Sequence, residues 1–323
     1  MPLATTEISP LLDSNANYYL WRDGAPEDNR LFIVFSSRGA RPGVFSFYNT
    51  FQKLGVNVLH VTPPDYTWYQ SGLIGLGTNA TTAMLALGEI VSKVCITRDI
   101  REIILVGASM GGYGALLYGL LNKHDCPVRV IAFSAETLLL LPNSRSSEAP
   151  FHVPEDLRDL RDADYSHLDA SILFGEFDLI DSYCALSIVK RPGISLISLT
   201  SATHMIPEAL NKSIGIVDFF KTFLNGGRYV PGQGHMQYAL ESTDMQPLIT
   251  APQFSEEYLT SLKHCLRKYP NFGFGWNRLG VYLRNRNRLD EAHYALNRSK
   301  AINPTFQNTL EHLQAVSKAI KRS

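Results

Sequence analysis

Apolar residues fall into two regimes along this chain. In the first two thirds they come in short, nearly unbroken runs: Leu31–Phe35, Val56–Val61, Ile103–Val106, Val128–Ser134, Ser171–Gly175 and Ile194–Leu199. Runs without in–out alternation are the signature of strands buried on both faces. Between them the apolar positions repeat at helical spacing. This predicts helices over Phe45–Leu54, over Thr78–Cys95 with Ala83, Leu87, Ile90, Val91 and Val94 as its stripe, from Tyr113 to Leu120, over Leu179–Val189 and over Ile206–Leu224. Strands alternating with helices imply an α/β protein: a mostly parallel sheet with helices on both faces. Asn17–Trp21 is expected at the sheet edge, preceded by a loose arm over residues 1 to about 15.

At Gly226-Gly227, and again at Pro231-Gly232-Gln233-Gly234, the periodicity stops. Residues 226–253 are expected to be a linker between a 1–225 domain and a helical region over 254–323. That region holds helices at Ser255–Arg267, Gly273–Arg286, Leu289–Ile302 and Thr305–Ile320. Trp276, Leu279, Gly280, Ala292, Leu296 and Pro304 fall where a tetratricopeptide repeat carries its signature residues, with Ser299 in place of the usual alanine. The region resembles one such unit, a resemblance that implies peptide or protein binding, or self-association. A single unit cannot bury both its faces, so these helices are expected to dock on the first domain or on another subunit.

The strand ending at Val106 runs into Gly107-Ala108-Ser109-Met110-Gly111, and a helix follows. Strand, G-x-S-x-G and helix together form a nucleophile elbow. The turn forces the serine into a strained conformation with its hydroxyl at the tip. Gly107 and Gly111 suit positions where a Cβ would clash. The new helix aims free N–H groups at whatever Ser109 attacks. A serine hydroxyl needs a base, and the base an orienting acid. His204 stands at the tip of the last strand and is the candidate base. Asp178, in the loop after Ser171–Gly175, is the candidate acid, with Asp181 and Glu176 as alternatives and a helix-capping role as the bland reading of Asp178. Met110 N–H is expected to form half of an oxyanion hole, with Ser37 or Arg38 giving the other half. Trp68, Tyr69 and Tyr113 are candidate walls of a substrate pocket. Arg38 and Arg41 read either as solvated charge or as holders of an anionic substrate group.

In this order, GASMGG, Asp178 in GEFD and His204 in ATHM resemble the α/β-hydrolase superfamily of serine esterases and peptidases over residues 18–224. The resemblance implies acyl transfer through an acyl-enzyme, with no metal or organic cofactor. The first loop departs from the usual His-Gly. That loop, TWYQSG and SMGGYGALLYG resemble accessory-secretion proteins that O-acetylate glycans. The expected function is therefore a carboxylesterase or deacylase acting on a small-molecule or glycan-linked acyl group. An O-acyltransferase acting on polysaccharide or glycoconjugate and a non-catalytic scaffold stand as alternatives. The connection over Leu138–Asp169 reads as too short and polar for a lipase lid.

Composition narrows this further. The 323 residues carry 30 basic and 30 acidic side chains, so no face need be basic and nucleic acid is not suggested. Four scattered cysteines form neither a zinc pattern nor a disulfide framework. The N-terminus lacks the pattern of a secretory signal, and no apolar stretch is expected to reach membrane-spanning length. A cytoplasmic protein without membrane contact is the expectation.

Overall fold

The computed structural model describes residues 5–148, 153–227 and 230–321. Seven strands, β1 (Tyr19–Arg22), β2 (Arg30–Phe35), β3 (Asn57–Val61), β4 (Glu102–Ala108), β5 (Val128–Phe133), β6 (Leu168–Gly175) and β7 (Ile194–Leu199), form one sheet. Their spatial order is β1-β3-β2-β4-β5-β6-β7. β1 runs antiparallel to β3 and every other pairing is parallel. Successive residues feed opposite faces. Leu31, Ile33 and Phe35 enter one core while Phe32 and Val34 enter the other, and Ile103 and Leu105 part from Ile104 and Val106 in the same way. This explains why the strands read as continuous apolar runs. The strand order, the antiparallel edge and the strand–turn–helix after β4 make this an α/β-hydrolase fold.

The helices are α1 (Thr5–Asn15), α2 (Tyr48–Leu54), α3 (Ala80–Thr97), α4 (Met110–Leu121), α5 (Glu155–Arg158), α6 (Leu179–Leu186), α7 (Ile206–Ser213), α8 (Ile216–Leu224), α9 (Met236–Ala239), α10 (Ser242–Thr250), α11 (Glu256–Lys268), α12 (Gly273–Asn285), α13 (Leu289–Ile302) and α14 (Gln307–Ile320). α3, α4 and α6 cover one face, and α2, α7 and α8 the other. Three expectations change. The N-terminal arm is helical from Thr5 and sends Leu11 into the core, while residues 1–4 lie outside the described residues. The single helix expected over Ile206–Leu224 is two, because Gly215 takes φ +80° and redirects the chain. By length and composition α3 is able to cross a membrane, contrary to the expectation; here its Ala83, Met84, Leu87, Val91 and Val94 are packed in the core beside the sheet.

Residues 226–253 are not an extended linker. They carry α9 and α10, whose Met236, Leu240, Met245, Leu248 and Ile249 join the main core together with Tyr258, Leu259 and Leu262 of α11. α12 and α13 form a hairpin in which Gly280 admits Leu296; a Cβ at Gly280 would stand 2.5 Å from Leu296 Cγ. The helical region docks on the loops that follow β6 and β7. The Tyr269 hydroxyl donates to Glu176 Oε2 (3.0 Å), Asn303 Nδ2 donates to the Ser201 carbonyl (2.7 Å), and Phe177 meets Phe306 edge-on at 4.9 Å. Glu176 is fully buried and also accepts from the Ser198 hydroxyl at 2.7 Å. Burial raises its pKa, opposed by the Ser198 and Tyr269 donors. Tyr269→Phe strips a donor from a buried carboxylate and is expected to cost about 1–3 kcal/mol. The midpoint of urea unfolding measures this, and an unchanged midpoint contradicts it.

Candidate active site

Ser109 sits between β4 and α4 at φ 54°, ψ −120°, a conformation that β-carbon residues avoid and that costs on the order of 1–3 kcal/mol. The surroundings hold it there. Its N–H donates to the Phe133 carbonyl (2.8 Å) and its carbonyl accepts from Tyr113 N–H (3.1 Å). The glycines are sterically required. A Cβ on Gly107 would lie 2.0 Å from the Gly111 oxygen, and one on Gly111 would lie 2.2 Å from the Phe35 oxygen.

His204 lies in the loop after β7, where the Ser134 hydroxyl donates to its carbonyl (2.8 Å). Its Nδ1 is 2.8 and 3.0 Å from the two oxygens of Asp181, a carboxylate with no solvent exposure. The expected acid, Asp178, does not contact the imidazole as a hydrogen-bond partner. It caps α6 instead, accepting the Asp181 N–H on Oδ1 (3.0 Å) and the Arg145 guanidinium on Oδ2 (2.6 Å). Asp181 stands in the first turn of α6, where side chains lean back toward the helix start and so toward the loop after β7. The helix N-terminus favours a carboxylate there. Glu176, the other alternative, is spent on the helical region.

Burial, and secondarily the Asp178 carboxylate, raise the Asp181 pKa to about 6, while His204 and Arg145 pull it down. Arg145 Nη1 lies 3.6 Å from Asp181 Oδ1, so this one guanidinium faces both carboxylates. The turn that delivers it is fixed by Glu136, a fully buried carboxylate that accepts the N–H groups of Arg145 (3.0 Å) and Ser146 (3.2 Å). Nothing in the sequence had marked Arg145. It comes from the connection after β5, which is polar in composition yet packs Leu139, Leu141, Leu157 and Leu160 into the core. Asp178, Asp181 and His204 also present ligand atoms within 4.8 Å of one another, a spacing compatible with a metal ion. The Arg145 guanidinium offsets one of the two carboxylate charges of that cluster.

Ser109 and His204 line one cleft of about 640 Å³, with Ser37, Arg38, Phe47, Tyr66, Arg145 and Met205 around it. With Nδ1 on Asp181, Nε2 is the nitrogen left for the cleft. No hydrogen bond joins it to the Ser109 hydroxyl; in serine enzymes this contact commonly tightens only on substrate binding. Met110 N–H is at the first helical position, with no acceptor inside the helix. Of the two expected partners, Ser37 N–H already donates to the Ser46 hydroxyl (3.0 Å), and Arg38 N–H is the one uncommitted among the described residues. The Arg38 side chain pairs with Glu148 at 2.6 Å.

The three expected wall aromatics are core residues instead. Trp68, Tyr69 and Tyr113 are all fully buried and line no part of the cleft. The Tyr69 hydroxyl donates to the Ser36 carbonyl at 2.8 Å, and its ring fills the space beside Gly114. The aromatics that do reach the cleft are Phe47 and Tyr66. Phe47, expected inside a helix over Phe45–Leu54, is instead the residue before α2, and Tyr66 lies in a loop without periodicity.

No family model and no curated protein matches the chain. Solved structures that resemble it include a lipase-esterase related protein from Clostridium acetobutylicum (13% identity, 64% of this chain and 98% of that one, TM-score 0.46). The capsule O-acetyltransferase of Neisseria meningitidis serogroup A is another (19% identity, 64% and 90%, TM-score 0.42). A third is the carboxylesterase CesB of Bacillus subtilis (13% identity, 69% and 98%, TM-score 0.40).

The pairing of His204 with Asp181 makes a discriminating expectation. Asp181→Asn should slow labelling of Ser109 by a fluorophosphonate by about 10³–10⁴-fold, and Asp178→Asn by less than about tenfold. Equal effects would contradict the pairing. Labelling should also fall as pH drops through about 6, because Asp181 is anionic above that value and accepts the imidazole N–H, and neutral below it.

Proposed function

We propose that this protein is a serine hydrolase that cleaves carboxylic esters through Ser109, His204 and Asp181, acting as a carboxylesterase or deacylase on a small or glycan-linked acyl group. The observation that carries the reading is the strained Ser109 at a helix N-terminus, opening on the same cleft as an imidazole whose far nitrogen is held by a buried carboxylate.

In this reading His204 Nε2 takes the Ser109 proton as the hydroxyl oxygen attacks the ester carbonyl. Asp181 holds the ring in the required tautomer and stabilises the imidazolium that forms. The N–H groups of Met110 and Arg38 receive the developing oxyanion. His204 then returns the proton to the leaving alcohol, and the acyl group stays on Ser109 until water, activated by the same imidazole, releases it. A sugar hydroxyl entering in place of water makes the enzyme an O-acyltransferase. A second cleft of about 510 Å³, which shares Arg145 with this one, gives such an acceptor room and supports this second reading.

The wild-type protein is expected to release acetate from p-nitrophenyl acetate, and Ser109→Ala to bring the rate to background. Failure of the wild type to hydrolyse the ester and to take up a fluorophosphonate between about pH 6 and 9 leaves only the scaffold alternative. Added sugar acceptor separates the two enzymatic readings: transfer yields acetylated sugar at the expense of free acetate.

A further inference from the structure

A second cleft, of about 510 Å³, lies where the helical region meets the α/β domain. Its walls come from Asn143 and Arg145 on one side and Gln253, Tyr258, Phe274 and Arg278 on the other. Arg145 also lines the Ser109 cleft, so the two cavities meet at this residue. The charges along this path are nearly balanced. Arg145 is paired with Asp178 and Arg38 with Glu148. Arg278 is left over from the ion pairs: it pairs with no acidic side chain among the described residues, its guanidinium donates toward the Tyr258 hydroxyl, and its Nε is buried without a hydrogen-bond partner. Its guanidinium is held 5.6 Å from the ring centres of both Phe254 and Phe274. A cation fixed against rings, with donors beyond the one spent on Tyr258, recognises a planar anion such as a carboxylate. Neighbouring side-chain amides and aromatic rings suit the hydroxyls and C–H faces of sugars.

From this arrangement, and resting on the hydrolase reading above, we infer that the second cleft is a distal subsite for an acidic oligosaccharide: Arg278 receives a sugar carboxylate while an ester on a neighbouring sugar reaches Ser109. The helical region is then part of the substrate-binding surface. The α/β domain alone supplies only the reacting half of the site.

Kinetics with four esters test this: p-nitrophenyl acetate, O-acetylated galacturonic acid, O-acetylated tetragalacturonic acid and, as the neutral control, O-acetylated xylotetraose. Wild-type kcat/KM for the acidic tetramer should exceed that for the acidic monomer by about tenfold or more, and the advantage should shrink with added salt. Arg278→Met should abolish the advantage through KM, leaving p-nitrophenyl acetate and acetylated xylotetraose within about twofold of wild type. Phe274→Leu, which removes one ring from the guanidinium, should weaken the advantage in the same selective way and serves if Arg278→Met fails to fold. An advantage that survives both substitutions, or no advantage in a wild type that hydrolyses p-nitrophenyl acetate, overturns the subsite and leaves the hydrolase reading standing. A wild type inert toward p-nitrophenyl acetate and fluorophosphonate removes the hydrolase reading, and the subsite with it.

Discussion

The steric closeness of three backbone segments at Ser109 sets the terms for everything around it. β4 can turn into α4 this sharply only because Gly107 and Gly111 leave room for each other and for the Phe35 carbonyl at separations where no Cβ fits. The backbone strain at Ser109 is local, but the hydrogen bond to Phe133 and the buried β2, β4 and β5 on either side make relaxation more costly than the strain itself. The parallel sheet thus does more than carry the serine. Its register fixes where β6 and β7 end, and with them the loops bearing Asp181 and His204.

Those loops are held from two directions. On the inner side Ser134 binds the His204 carbonyl, and Glu136 pins the turn that delivers Arg145 to Asp178 and Asp181. On the outer side the helical region grips Glu176, Phe177 and Ser201 through Tyr269, Phe306 and Asn303. Four carboxylates therefore occur within one small rim, each with a different donor set. Glu136 takes backbone amides, Glu176 takes hydroxyls, Asp178 takes a helix amide and a guanidinium, and Asp181 takes the imidazole. Only the last opens toward Ser109 chemistry.

Much of this was legible in the residue pattern. The six strands β2 to β7 were visible because burial on both faces leaves a nearly unbroken apolar run, while the half-buried β1 was expected only as an edge. The elbow was visible because its sterics demand glycine at fixed places. His204 followed from its position at a strand end. The acid was harder: Asp178 and Asp181 lie three residues apart, and choosing between them needs the direction of the first turn of α6, which sequence spacing does not carry. The cleft aromatics were misjudged for a related reason. Trp68, Tyr69 and Tyr113 look like a binding wall in one dimension, yet large rings next to an elbow also serve to fill space beneath it. The break at Gly215 was hidden because the apolar stripe resumes on the far side of the bend, and α9 and α10 were hidden because each is too short to show a period. Arg145 had no signal at all, being one basic residue in a stretch of mixed polarity whose shape depends on a buried glutamate nine positions earlier.

The anchoring of that stretch also stiffens it. Glu136 closes residues 136 to 146 into a loop whose two ends are tied at one carboxylate, with Leu140 N–H bonded to the Ser146 hydroxyl inside it. Pro142 and Asn143, the part of this segment that faces the second cleft, therefore stand on a base pinned at Glu136 and by Leu139 and Leu141 in the core.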